Sequence, residues 1–222
     1  KHIFPPPVKK NPGVRFLDLI PSNCSSSFFK DGNFSFLNKE KNFSSAIDWN
    51  FSDYGQLWNI RLNSLECLSH PETSAEDGVK VLVDFTRNIK RNRTRFDSHC
   101  ASLRIINVIK FCSRFEIDQE EINSFVFSQA LYVRKNSEVH LRNNHLLENC
   151  FALLFASHYF NQEKLFHYAS KGLLKSLDKQ ILNDGAHFEL CPMYHLWTVN
   201  RLLECLQILK KSDFRGLIYL NF

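Results

Sequence analysis

The sequence predicts an all-α protein built from antiparallel helical hairpins, and three observations lead to this fold class. Glycine and proline are scarce, with 7 of each among 222 residues, so few positions break a helix. Large apolar side chains are abundant, and phenylalanine alone accounts for 21 residues. From about residue 55 onward, apolar residues recur at helical spacing and the segments between them are short, which favours antiparallel neighbours.

Residues 1–54 read instead as an irregular N-terminal arm. Pro5-Pro6-Pro7 is followed by stretches rich in Ser and Asn with isolated aromatic residues. Phe34-Ser35-Phe36-Leu37-Asn38 alternates apolar and polar residues at its start, which predicts a short strand or an extended segment. Its Phe side chains indicate that this arm packs on the rest of the domain.

Seven helical segments follow the arm. Glu120 and Glu121 place negative charge on the first turn of one segment, and Pro192 suits the first position of the last. The segment from Leu146 is apolar over most of its circumference, which predicts a helix covered on several sides. The predicted segments span about residues 57–68, 74–89, 102–115, 118–134, 146–160, 163–182 and 192–209.

The charge distribution narrows the choice of partners. The net charge is +5, and the densest basic run is Lys90-Arg91-Asn92-Arg93-Thr94-Arg95. This run is either a solvated helix end or a basic rim that attracts a polyanion. No signature of nucleic-acid binding accompanies the run, and an acidic polysaccharide would be attracted to it equally well.

The 7 cysteines are widely spaced, which argues against a disulfide framework or a structural zinc site and favours small buried thiols. No apolar run reaches membrane-spanning length, so no membrane span is predicted. Free cysteines and the lack of a leader favour the cytoplasm, and the periplasm remains an alternative.

Two short blocks at predicted helix starts carry the candidate chemistry. The first is Asn143-Asn144-His145-Leu146-Leu147-Glu148-Asn149, where a polar stretch gives way to an apolar helix. Asn is a common N-cap, so Asn144 is equally well a cap or a site residue. However, Asn144, His145 and Asn149 together supply more hydrogen-bonding groups than one cap requires.

The second block is Asp184-Gly185-Ala186-His187-Phe188-Glu189-Leu190-Cys191-Pro192-Met193-Tyr194-His195. Its first two residues end a helix with turn chemistry, which places His187 and Glu189 on a loop and the last two residues in a new first turn. Taken alone, Tyr194 is explained as an amphipathic core residue and His195 as a surface histidine. Taken together, four functional groups at one helix N-terminus, which favours anions, indicate a site that suits a tyrosinate or a substrate carboxylate.

A metal centre is the competing chemical reading of the second block. His187, Glu189 and His195 are possible zinc ligands, but neither His-Glu-x-x-His nor another standard ligand spacing is present. We therefore predict no metal site and no cofactor.

Both blocks resemble sequence motifs of a known family. They are similar to the helical domain of the heparinase II/III-type polysaccharide lyases, which include related alginate lyases. The motifs are Asn144-His145-Leu146-Leu147-Glu148-Asn149 and Asp184-Gly185-x-His187-Phe188-Glu189-x-x-Pro192-Met193-Tyr194-His195. The stretch from Ser102 to Phe111 resembles a third family stretch and Phe34 to Asn38 a weaker one, so the likeness runs from about residue 30 to 210.

This resemblance implies an incomplete (α/α) toroid over residues 55–222 and eliminative cleavage of polysaccharides that contain uronic acid. Asn144 and His145 would bind and neutralise the carboxylate at C5 of the sugar, which acidifies the C5 proton. Tyr194 would transfer the proton at the scissile bond. Substrate contacts are expected from Arg104, His187, Glu189 and His195.

The sequence also departs from the family pattern. Ala186, Leu190 and Cys191 stand where Gly, Arg and Ser are common, and the loss of an Arg removes a contact to an anionic sugar. The full enzymes continue into a β-sandwich domain that has no counterpart here. We therefore expect weak or no turnover by this chain alone, with an acidic polysaccharide or oligosaccharide as ligand and a separate chain carrying the missing domain as partner.

Two alternatives remain open at the level of sequence. The first is a non-catalytic carbohydrate-binding or α-helical scaffold protein that retains the toroid fold. The second, an α-solenoid adaptor for other proteins, is supported by the helical hairpins alone.

Overall fold

The computed structural model describes residues 28–30, 32–89, 97–137 and 144–210. Within these ranges a small sheet is followed by helices, one of which is a short 3-10 helix at Glu66–Ser69. The strands are β1 (Phe28–Lys30), β2 (Asn33–Phe36) and β3 (Lys39–Asn42). The α-helices are α1 (Gln56–Asn63), α2 (Ala75–Ile89), α3 (Ser98–Arg114), α4 (Glu120–Lys135), α5 (Asn144–Tyr159), α6 (Glu163–Gln180) and α7 (Pro192–Lys210).

The described part of the predicted N-terminal arm is more regular than expected, because it forms an antiparallel sheet in the order β1-β2-β3. Phe36 pairs with Lys39 across a two-residue turn in which Leu37 and Asn38 adopt φ angles of 55° and 59°. Positive φ at both central residues matches the twist of a two-residue hairpin. Pro5-Pro6-Pro7 lies outside the described residues, and the boundary at residue 54 stays a prediction.

Aromatic packing attaches the sheet to the helices. Phe34 and Phe36 are both fully buried, and the ring of Phe36 meets that of Trp58 on α1 edge-on at 5.1 Å. Trp58 Nε1 donates a hydrogen bond of 3.1 Å to the carbonyl of Lys39. Buried aromatic side chains contribute large apolar areas, and edge-to-face pairs add to their stability. In the described residues both Phe side chains are buried, and that of Phe36 packs against α1.

The helices confirm the all-α fold class and lie close to their predicted positions. The largest difference at a helix start is in α3, which begins at Ser98 instead of near residue 102. Asp97 is its N-cap, and its Oδ1 accepts a 2.8 Å hydrogen bond from the backbone N–H of Cys100. A capping carboxylate satisfies N–H groups that have no partner within the helix, so the extra turn is stabilised by a polar residue rather than by the apolar pattern.

Helix α5 is the innermost element of the described fold. Every residue from 147 to 160 is buried, and the helix contacts α3, α4, α6 and α7. This agrees with the apolar circumference read from the sequence. The closed or open ring of hairpins implied by the family resemblance remains a prediction.

The described cysteines are free thiols. Cys67, Cys100, Cys112, Cys150 and Cys205 are buried, and Cys191 is partly exposed. Among the described residues, no helix is both long and apolar enough to cross a membrane. The basic run Lys90-Arg91-Asn92-Arg93-Thr94-Arg95 lies outside the described residues.

Candidate functional site

The first predicted block lies at the start of α5, with Asn143 outside the described residues. Asn144 begins the helix, and its side chain lies outside the described part of the structure. The partly exposed His145 stacks its imidazole on that of His99 at the start of α3, with ring centroids 4.0 Å apart and planes inclined by 18°. Asn149, predicted to add hydrogen-bonding capacity, is fully buried and accepts a 2.8 Å hydrogen bond from Ser102 Oγ.

The second block folds into a tight turn between α6 and α7. Ile181 pairs with His187 as an isolated antiparallel bridge, and the N–H of Phe188 donates to the carbonyl of Gln180 at 2.8 Å. Gly185 occupies the turn with a φ of 85°, a conformation that glycine adopts without steric cost. The turn directs the chain from the end of α6 back to the start of α7, so the whole block lies at one end of this helix pair.

His187 is buried within this turn, with 1% of its surface exposed. The backbone N–H of Glu189 donates to its Nδ1 at 3.4 Å, and its Nε2 lies 3.3 Å from Oε1 of Gln180. This pattern is satisfied by a neutral ring that carries its proton on Nε2. Burial lowers the pKa of His187, and a charge on His195 lowers it further against the opposing effect of Glu189, whose side chain is exposed.

Tyr194 and His195 lie in the first turn of α7, where both are partly exposed. The ring of Tyr194 is 6.4 Å from that of His187. Nδ1 of His195 is buried and has no hydrogen-bond partner among the described residues. The structure therefore brings His187, Tyr194 and His195 together at one helix N-terminus, a location that favours a bound anion.

Arg104 lies elsewhere and does not fit its expected role as a substrate contact. Its side chain is fully buried in α3. Nε donates to the carbonyl of Asn63 at 2.7 Å, Nη1 donates to Oε1 of Gln129 at 2.6 Å, and the guanidinium stacks 4.5 Å from the ring of Phe85. These contacts connect α1, α2, α3 and α4, so in this structure Arg104 holds helices together.

The sequence prediction missed Glu148 as a site residue. Its carboxylate is fully buried on α5, one turn after His145, and Oε1 accepts a 3.1 Å hydrogen bond from Nη2 of Arg201 on α7. Oε2 has no described hydrogen-bond partner. Burial raises the pKa of Glu148 and outweighs the opposing charge of Arg201. The signal in the sequence was an acidic residue inside an otherwise apolar helix.

Arg201 also connects Glu148 to a second acidic residue. Its Nη1 donates to Glu204 at 2.8 Å, and Glu204 accepts from Lys110 on α3 at 2.7 Å. The two cations hold the pKa of Glu204 below its ordinary value against the effect of burial. This buried ion network joins α3, α5 and α7.

The face of α7 that carries Tyr194 also holds buried polar atoms that have no described hydrogen-bond partner. Thr198 is 1% exposed, and its Oγ1 has no described hydrogen-bond partner, as is also true of Nε of Arg201. Helical spacing puts Tyr194, Thr198 and Arg201 on one face. A buried polar group without a partner costs about 1–3 kcal/mol, so this face is suited to a polar ligand or to ordered water.

Neither metal binding nor a surface depression offers a different site. Among the described residues there is no group of three His, Cys, Asp or Glu side chains that could hold a metal ion. A shallow depression of about 430 Å³ lies between β3 and α1, and it includes Lys41, Asn50 and the carboxylates of Asp48 and Asp53. None of the predicted site residues lines it.

The fold and the site define a helical domain in which side chains able to exchange protons, His145, Tyr194 and His195, lie in the first turns of α5 and α7. The sequence matches the family described as Heparinase II/III N-terminus over residues 95–222, more than half of the chain, and the protein belongs to this family. The family is related to polysaccharide lyases, and the match confirms the resemblance seen in the sequence. No curated protein and no solved structure matched the chain.

Proposed function

We propose that this domain binds a polysaccharide containing uronic acid and takes part in its cleavage by β-elimination. One observation carries the proposal: α5 and α7 contact each other, and their first turns hold His145 and the pair Tyr194 and His195. The matched family segment covers both turns. Two helix N-termini with amide, phenol and imidazole side chains favour a polymer that carries carboxylates.

The proposed reaction assigns a separate role to each block. Asn144 and His145 neutralise the carboxylate on C5, because hydrogen bonds to its oxygens stabilise the enolate that forms when the C5 proton leaves. Tyr194, reacting as the phenolate, takes the C5 proton and passes it to the glycosidic oxygen on C4. The C4–O bond breaks with its electron pair, a C4–C5 double bond forms, and the tyrosine regains its starting state.

The remaining candidates act on binding rather than on the proton transfer. The exposed carboxylate of Glu189 and the ring of His195 flank the start of α7, where they would contact the sugar beside the scissile bond. His187 is buried behind Tyr194, so its role is to support the tyrosine ring from within the turn. Glu148 would extend the polar face inward from His145.

The test is an ultraviolet assay for the unsaturated uronate product together with a binding measurement. The chain is incubated with heparan sulfate, heparin, hyaluronan, chondroitin and alginate. Tyr194→Phe removes only the hydroxyl that transfers the proton, so product formation should fall by about a hundredfold or more while binding is retained. Tyr168→Phe is the matched control, because Tyr168 is an exposed tyrosine of α6, and it should leave the rate unchanged.

Each other outcome has a distinct meaning. Equal rates for Tyr194→Phe and the unaltered chain would refute the role of Tyr194. Binding without turnover, unaffected by Tyr194→Phe, would favour a non-catalytic carbohydrate-binding protein. Neither binding nor turnover by folded protein would refute the proposal for this chain.

A further inference from the structure

A second imidazole lies against the proposed site on a different helix. His99 is in the first turn of α3, and its partly exposed ring faces that of His145 in the first turn of α5. The centroid distance of 4.0 Å and the 18° angle describe a nearly parallel stack. The first turn of α3 is held by its Asp97 cap, so the backbone that carries His99 is fixed independently of α5.

This contact constrains the orientation of the His145 ring. The second side-chain torsion of histidine is broad, so a partly exposed ring on a first helical turn samples several orientations of its plane. A flat neighbour packed against one face removes most of these orientations. In the reaction proposed above, the direction of a ring N–H toward the substrate carboxylate depends on that plane.

We propose that His99 is a positioning residue that fixes the plane of the His145 imidazole. This inference rests on the proposed function for its catalytic consequence, while the stacking itself is a property of the folded chain. The residue lies just ahead of the Ser102–Phe111 stretch and belongs to neither of the two blocks. It adds a contribution from α3 to a site otherwise built from α5 and α7.

Three substitutions separate stacking from other roles of the residue. His99→Phe retains a flat ring of similar size but neither ring nitrogen, whereas His99→Ala removes the stack. His167→Ala is the control, because His167 is an exposed histidine of α6 whose only described ion pair is a long one with Glu163, at 3.6 Å. Circular dichroism and thermal unfolding verify that each variant is folded before comparison.

The first readout is the long-range ¹H–¹⁵N spectrum of the histidine rings, in which the signals missing from His145→Gln identify His145. We expect His99→Ala to shift or broaden the His145 signals, His99→Phe to keep them sharp, and His167→Ala to leave them unchanged. Unaltered His145 signals in folded His99→Ala would overturn the inference. This readout needs no turnover, so it decides the inference even if the unaltered chain cleaves no polymer and the proposed function fails.

The second readout is steady-state kinetics on any polymer that the chain cleaves. Misplacing a reacting group reduces the rate steeply, so His99→Ala should lower kcat by about tenfold or more with little change in KM. His99→Phe should restore kcat to within about threefold of the unaltered chain, since the stack is what positions His145. A loss in His99→Phe as large as that in His99→Ala would refute positioning by stacking.

Discussion

The buried ion network between α5 and α7 permits a stability prediction that follows directly from its contacts. Arg201→Met retains most of the length of the side chain and removes the guanidinium. The carboxylate of Glu204 keeps its 2.7 Å contact with Lys110, but that of Glu148 loses the 3.1 Å hydrogen bond from Arg201. Glu148 is fully buried, so its charge would be left without compensation.

The expected cost follows from this asymmetry. Removing one partner of a buried ion pair costs about 3–5 kcal/mol, because the remaining charge is desolvated and unpaired. Glu148 can escape this cost by taking up a proton, which limits the loss of stability. Taking up the proton costs about 1.4 kcal/mol for each pH unit by which the solution pH exceeds the folded-state pKa. We therefore expect a loss near 3 kcal/mol at neutral pH, or a fall in Tm of about 6–12 °C for a chain of this size.

The pH dependence has a definite sign. Burial already raises the pKa of Glu148 above its ordinary value of 4.5, and losing Arg201 raises it further. The folded state then holds a proton that the unfolded state releases, so stability falls as pH rises from about 4.5 through the folded-state pKa. Urea unfolding should accordingly show a smaller deficit for Arg201→Met at about pH 5 than at about pH 7.

Two further variants make the reasoning refutable. Arg201→Met combined with Glu148→Leu removes the stranded charge and should recover most of the lost stability, since apolar replacement of a buried ion pair is often neutral. Lys110→Met is the control, because Glu204 retains Arg201, and it should cost less than Arg201→Met. Equal losses in the single and double variants, or a deficit independent of pH, would show that Glu148 does not carry the cost.

Two other substitutions test the packing and the turn. A Cβ on Gly78 would lie 2.2 Å from the buried ring of Phe111, so Gly78→Ala should lose about 1–2 kcal/mol in urea unfolding despite its better helix propensity. Gly172→Ala should lose less stability, because its Cβ would lie 3.0 Å from a single atom, Sγ of Cys150. A larger loss in Gly172→Ala than in Gly78→Ala would contradict the packing. The lowered pKa of His187 means that the unfolded state binds its proton more readily, so stability should be lost as pH falls through the ordinary value of 6.5. Unfolding free energies measured at about pH 7.5 and 5.5 should show that His187→Gln removes this loss and exposed His167→Gln does not; an unchanged slope in His187→Gln would rule the explanation out.

The helices could be predicted because each buried helix face requires apolar residues at helical spacing, and this spacing is visible in the sequence. Residues 147–160 of α5 are apolar on nearly every side, and the structure covers this helix on several sides. The start of α3 could not be found in this way, because a capping carboxylate rather than an apolar residue determines it. The strand β3 was missed for a similar reason, since Lys39-Glu40-Lys41-Asn42 is polar and is held by pairing with β2.

The site could be predicted in part. Clustering of polar groups at a helix start is visible in a sequence, and this pointed to the turn that holds His187, Tyr194 and His195 together. The partners of a single buried charge come from distant segments and are not visible. The resemblance therefore implied a substrate contact for Arg104 although it bonds to Asn63 and Gln129, and no role was predicted for Glu148 although it bonds to Arg201 on α7.

The ion network helps to position the residues of the proposed reaction, because it connects the two helices that carry them. His145 precedes Glu148 by one turn, and Tyr194 precedes Arg201 by about two turns on the same face of α7. The bond from Arg201 to Glu148 therefore fixes the offset between the two helix starts where the proposed acid-neutralising and proton-transferring groups lie. Without the bond between Arg201 and Glu148, each first turn would still orient its own side chain, but the distance between His145 and Tyr194 would not be fixed. Arg201→Met should consequently lower turnover more than the control Lys110→Met does, even at temperatures where both variants are fully folded.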